Sequence, residues 1–376
     1  MRERHVHEQS PAELSTPHSE TRPGLAGREM TSQLNLFGAA EPAYRRDRQV
    51  LELSVSVGGR ILPTSPVFDT YWAFAAKRQA LYEARQAGVK GPWTDDPILR
   101  HFRFTNCYRA TDRVSQFLLT RVAYRGPQDD RNLVFRTLLF KMFNKIATWE
   151  LLEESLGEIT WETYDVAAYD AVLSRAFREG RRIYSAAYVV PPPALGASRK
   201  HSNHLLLIRH MIEDGVHKRL VDAASMEHAF AVLREYPAIG DFLAYQFLID
   251  INYTRALDFS ENDFVMPGPG ARDGIRKCFG AAASGIESLV IRYMADSQEE
   301  HFSRLGLSFG GLRGRPLQLI DCQNLFCEVD KYARVAHPEV AGISGRSRIK
   351  QRYTVFPEPL SAWFPPKWGI NGFEPS

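Results

Sequence analysis

Leu233-Arg234-Glu235-Tyr236-Pro237-Ala238-Ile239-Gly240-Asp241-Phe242-Leu243-Ala244 is the stretch whose residue types point most directly to chemistry. Proline ends one apolar helical run, glycine allows a tight turn, and a second apolar run starts at once. The first turn of that second helix presents backbone N–H groups with no partner of their own, which can grip a phosphate without a positive side chain. Ile239 and Gly240 are therefore candidate phosphate contacts, against the plain alternative of an ordinary helix–Pro–Gly–helix turn. Gly268-Pro269-Gly270-Ala271 opens another run toward Ile275, and small residues at Gly268 and Gly270 would let a nucleic-acid backbone approach; a loop cap is the alternative. Lys141 and Lys145, four residues apart, share a helix face that either follows a phosphate backbone or is solvated. Arg109 and Asp112 are spaced for an intrahelical ion pair, with a phosphate contact by Arg109 as the other reading. His201 and His204 lack a third ligand nearby and read as a cap or surface pair, so no metal is expected.

The hairpin resembles the helix–hairpin–helix of DNA glycosylases. That resemblance implies a catalytic aspartate roughly twenty residues past the hairpin glycine, a distance at which Glu261-Asn262-Asp263-Phe264-Val265 arrives. Asp263 is the expected carboxylate, preorganised to stabilise charge developing on the sugar. Asp258, Glu261 and Asp273 are the alternatives. Strand-cutting members carry a lysine just after the hairpin glycine; Phe242 stands there instead, which implies simple base removal, and Lys277 is only a weak substitute. An iron–sulfur cluster is not expected either, because Cys322 and Cys327 have no further cysteines close by.

Several blocks resemble the alpha-glutamyl/putrescinyl thymine pyrophosphorylase family, which includes the helical domain attached to phage 5-hydroxymethyluracil DNA kinases. They are Arg103-Phe104-Thr105-Asn106-Cys107-Tyr108-Arg109 with Asp112-Arg113, then Lys141-Met142-Phe143-Asn144-Lys145 with Thr148-Trp149, then Tyr184 and Tyr188. Phe264 to Ala271 and Asp321 to Tyr332 complete the set, over roughly residues 65–335. The resemblance implies a mostly α fold of the helical DNA glycosylase kind and a hypermodified pyrimidine in phage DNA as substrate. Within it, Asn106, Gln323 and Asn324 would read the polar edge of an extruded base while Tyr108 or Trp149 stacks on it.

The elements that must hold these residues are helices. Apolar residues recur at three- and four-residue steps from about Thr70 to Gly88, and helices are predicted over Arg109–Val122, Leu133–Leu152, Tyr164–Glu179, His204–Asp214, Met226–Leu233, Asp241–Asn252, Ala282–Tyr293 and Leu317–Arg334. Strand signals are few and short. The loops between the helices are too short to separate domains, so residues 49–376 read as one helical body.

Residues 1–48 are polar and lack a sustained hydrophobic period, the composition of a disordered tail. Within it, Gln33-Leu34-Asn35-Leu36-Phe37 resembles the peptide that docks bacterial repair proteins onto the sliding clamp, with Gln33, Leu36 and Phe37 as the expected anchors. Met30 offers a second possible start of translation. Net charge is only +3 and the pI about 8.6, short of the pI above about 9 usual for a nucleic-acid-binding domain. Arginine outnumbers lysine more than threefold, which suits bidentate phosphate binding, although GC-rich coding gives the same bias. The cysteines are scattered, no long apolar run occurs and the N-terminus has no signal-peptide core, so a cytoplasmic, reducing location away from membranes is expected.

These features lead to the expectation of a cofactor-free, monofunctional DNA glycosylase that removes hypermodified pyrimidines from phage DNA in defence. A base-hypermodification enzyme that displaces pyrophosphate from activated hydroxymethyluracil is the second reading, and a non-catalytic adaptor for modified DNA the third. No Walker-type phosphate loop occurs in the sequence.

Overall fold

Short polar side chains start several of the helices of this chain. Ser65 accepts from the Val67 N–H ahead of Pro66, Asp96 from Ile98 and Leu99 ahead of Pro97, Asp129 from Asn132, and Ser225 from His228. The computed structural model describes residues 53–186, 189–355 and 362–372, and among them it has fourteen α-helices. The chain is thus mostly helical, as expected. The described strands are Ser54–Val57 and Arg60–Pro63, an antiparallel hairpin pairing Val55 with Leu62.

The helix Leu319–Ala336 lies at the centre of the packing, against Pro269–Phe279 and Pro66–Gln86. Its approach to Pro269–Phe279 is close: a Cβ at Gly274 would lie 2.1 Å from the Phe326 carbonyl oxygen. On its other side Tyr71 donates to the Cys322 carbonyl at 3.2 Å, and its ring meets Phe326 at 4.7 Å between centroids. Cys107, Cys278 and Cys322 are buried in this core as free thiols.

Helix existence follows the sequence more closely than helix boundaries do. Asp241–Asn252 coincides with expectation. The run Leu133–Leu152 is two helices, Asp130–Phe143 and Ile146–Leu156, because Asn144 takes a left-handed conformation at φ 48°. Arg109–Val122 is a 3₁₀ turn, a short helix and a π-helical turn in succession. In the hairpin the first helix, Met226–Arg234, ends before Pro237, and the left-handed residue is Ala238 at φ 62°. Gly240 sits at φ −81° as the residue preceding the second helix, so the turn does not draw on its conformational freedom. Met30, the peptide Gln33–Phe37 and Tyr188 lie outside the described residues. Among the described residues, no helix is long and apolar enough to cross a membrane.

Candidate functional site

One face of the Leu319–Ala336 helix lines a cleft of about 770 Å³. Gln323, Cys327 and Lys331 follow one another at four-residue steps, with Asn324 and Glu328 alongside, so helical geometry alone puts them on one wall. Facing them is the start of Asp241–Asn252, where Phe242 in the first turn and Gln246 one turn later enter the same space. Arg103, Thr105, Arg109 and Asp112 form a third side, and residues 345–351 run along the mouth.

Among the described residues the wall combines the Phe242 ring with amides. Gln323 is 1% exposed; its Nε2 donates to Asn324 Oδ1 at 2.9 Å, while its Oε1 is buried with no hydrogen-bond partner among the described residues. Leaving a buried carbonyl unsatisfied costs about 1–3 kcal/mol, so an acceptor held this way fits a site completed by a ligand donor. Phe242 owes its place to Gly268, where a Cβ would lie 3.0 Å from its ring and 3.8 Å from Gln323 Oε1. A Cβ at Gly270 would press on Cys327 Sγ at 3.0 Å. Both glycines thus leave room for side chains of the cleft wall.

Beneath the cleft is a buried ion triad. Asp250 Oδ2 meets Arg109 Nη2 at 2.5 Å and Lys141 Nζ at 2.9 Å, and Lys141 also donates to Asn144 Oδ1 at 2.9 Å. The Arg109 backbone N–H donates to Asp321 Oδ1 at 2.9 Å. Lys141 is neither solvated nor a phosphate contact, and Arg109 pairs with Asp250 rather than with Asp112. Two cations around Asp250 also explain why the polar residues of the second block, Lys141 and Asn144, sit inside the core. Asp112 accepts from the Asn106 N–H at 2.9 Å; burial pushes its carboxyl up to about 6, against the pull of that hydrogen bond and of Arg78.

Other expected site residues are structural. The Asn106 side chain is held by Arg78 and by the Thr111 carbonyl. Tyr108 is 2% exposed, donates to the Arg315 carbonyl at 2.7 Å and stacks on Phe309; Trp149 is buried edge-on to Phe140. Neither lines the cleft, and among the described residues the ring that does is Phe242. Lys145 donates to the Arg182 carbonyl. The Ile239 N–H is taken by the Tyr236 carbonyl at 3.2 Å.

Asp263 is exposed and does not line the cleft, and its carbonyl accepts from Arg292 at 2.9 Å. The expected dry site around it is absent. Of its alternatives, Asp258 is exposed near Lys367, and Glu261 is buried against Arg315 at 2.7 Å with its carboxyl raised to about 7 by desolvation. Asp273 is buried and receives Arg346 and the Ser344 N–H, each at 2.7 Å. Lys277 is buried against Asp330 at 3.2 Å. His201 and His204 are buried rather than superficial: His201 pairs with Ser174 at 2.9 Å, and His204 bridges Tyr184 and the Pro191 carbonyl.

Sequence reasoning placed Arg109, Gln323 and Asn324 at the site and missed Phe242, Gln246, Arg103, Lys331 and the basic stretch after residue 344. The four-residue step from Phe242 to Gln246 carried a signal that the search for a lysine at Phe242 obscured. A second groove, of about 600 Å³, lies beside Arg175, Arg178 and Arg199 but contains none of the blocks that carry the family resemblance.

The family described as "5-hmdU DNA kinase, helical domain" matches residues 65–342. A protein from Bacillus phage SP10 named 5-hmdU DNA kinase is 25% identical over 288 residues, covering 71% of this chain and 45% of that protein. The chain therefore spans less than half the length of that relative. No solved structure matches. These matches overturn the expectation of a hydrolytic, defence-related DNA glycosylase: both belong to a DNA kinase and modification family, and the catalytic assignment of Asp263 falls with that expectation. They lend no support to sliding-clamp docking.

Proposed function

The chain belongs to the family of the 5-hmdU DNA kinase helical domain, and from that premise we propose that it is a DNA base-modifying transferase acting on the 5-hydroxymethyl position of a pyrimidine extruded from DNA. The observation that carries this reading is the cleft itself, where the Phe242 ring lines the wall beside the Asn324 amide and Gln323, whose buried Oε1 has no hydrogen-bond partner among the described residues. A base removed from its stack is held in just these ways, by an aromatic face and by hydrogen bonds to its polar edge.

The chemistry we favour is substitution of pyrophosphate on an activated 5-(pyrophosphoryloxymethyl)uracil by an amine. A nitrogen–carbon bond forms at the methylene as its carbon–oxygen bond breaks, pyrophosphate leaves with the bonding pair, and the amine gives up one proton. Asp112 lines the cleft with a carboxyl that is largely ionised at neutral pH and can accept that proton. Arg103 and Lys331 stand where they can neutralise the leaving group. Substitution is preferred to phosphorylation because the sequence offers no Gly-Lys phosphate loop for a nucleoside triphosphate.

Intact-mass measurement of oligonucleotides tests this. DNA carrying a pyrophosphorylated 5-hydroxymethyluracil should lose pyrophosphate and gain the mass of a supplied amine. Gain of one phosphate by plain 5-hydroxymethyluracil DNA, given a nucleoside triphosphate, would assign kinase chemistry instead, and no mass change on either substrate would refute modification by this chain.

A further inference from the structure

Beyond the family match, which ends at residue 342, the chain turns back across the cleft mouth as a strap, residues 342–353. Its sequence places a cation at every second position, Arg346, Arg348, Lys350 and Arg352, and all four are exposed, while Ile349 packs toward the core. The strap is seated firmly. At one end a Cβ on Gly342 would lie 2.9 Å from Asp273 Oδ1, the Ser344 N–H donates to Asp273, and Arg346 pairs with it at 2.7 Å. In its middle Arg334 donates to the Arg348 carbonyl at 3.0 Å. At the other end the Arg103 N–H donates to the Gln351 carbonyl at 3.1 Å, the Tyr353 N–H to the His101 carbonyl at 3.0 Å, and Arg352 meets the His101 ring at 2.6 Å.

The end cations are thus anchors and the central two are not. Among the described residues Arg348 and Lys350 make no ion pair, and both line the cleft. Two exposed cations on a backbone pinned at both ends, at the rim of the cleft, are placed to meet the phosphates that flank a nucleotide held there.

We propose that residues 344–352 form a fixed clamp in which Arg348 and Lys350 bind the DNA backbone beside the target nucleotide. The identity of the target base rests on the function proposed above; the grip on the strand does not, since phosphate contacts carry no base information. The clamp makes a polynucleotide, rather than a free nucleotide, the substrate.

The test is binding of the full chain to an unmodified fluorescent oligonucleotide across a salt series. Each phosphate contact contributes a slope of about 0.7 for single-stranded DNA or about 0.9 for duplex in log K against log salt. The double variant R348A/K350A should therefore lower the slope by about 1.4 or about 1.8, and R348K/K350R should restore it. Unchanged slope and affinity in a variant with unaltered melting temperature would overturn the clamp, as would a change confined to RNA. Because the probe carries no modified base, failure here leaves the mass measurement to judge the reaction separately.

Discussion

Gln323 is the residue at which structure and chemistry are most tightly joined. Its amide is half satisfied, with Nε2 tied to Asn324 and Oε1 buried without a partner among the described residues. A group in that condition weakens the free protein and strengthens a complex that supplies the missing donor. Gln323→Leu should therefore leave unfolding free energy within about 1 kcal/mol of wild type, or raise it, while weakening binding of 5-hydroxymethyluracil DNA relative to plain DNA roughly tenfold or more. Denaturant titration paired with competition binding checks this, and a loss of stability without a loss of base preference would assign Gln323 to the core. At this scale the sequence was legible in the neighbouring amides Gln323 and Asn324, which the family resemblance singled out as readers of a base edge. Tyr108 and Trp149 misled because large aromatic rings at helical spacing fill cores far more often than they line sites.

Among the elements, the Asp241–Asn252 helix carries both the cleft and its foundation. Phe242 and Gln246 face the cleft from its first turns, and Asp250 near its end neutralises Arg109 and Lys141 from two other segments. Asp250→Ala removes the buried acid that Arg109 and Lys141 share and should cost about 3–5 kcal/mol, measurable by urea unfolding. A cost under about 1 kcal/mol would show that the triad is not what fixes these segments. The period of this helix was plain in the sequence, and so were its limits. Its partners were not: no local pattern shows that Lys141, thirty positions past the first block, shares an acid with Arg109. The break inside Leu133–Leu152 is hidden for a similar reason, since an asparagine that adopts left-handed geometry looks like any other polar position.

On the scale of the whole molecule, a largely apolar helical body buries several carboxyls at a cost in charge solvation. Glu261 shows it best, with burial raising its carboxyl to about 7 despite Arg315. Since the folded value exceeds the unfolded one, the folded protein binds the extra proton over the intervening range. Stability from this group is fully present below about pH 4.3 and is lost as pH rises through 7. Glu261→Gln should gain on wild type between pH 5 and pH 8, by on the order of 2 kcal/mol, and the histidines cancel in that difference. A pH-independent difference would mean that Arg315 holds Glu261 ionised throughout.

The class of the fold was readable from helical periodicity, and the cleft was partly readable from the blocks around Gln323. The strap was not, because a cation at alternate positions on an irregular segment leaves no periodic apolar trace. The most direct test of the account asks where the extruded base goes. An oligonucleotide with 5-iodouracil at the target position, irradiated in complex with the protein and mapped by peptide mass spectrometry, should crosslink to Phe242 on the cleft wall. Crosslinks concentrated instead at the Val166–Arg178 helix, beside the second groove, would contradict it.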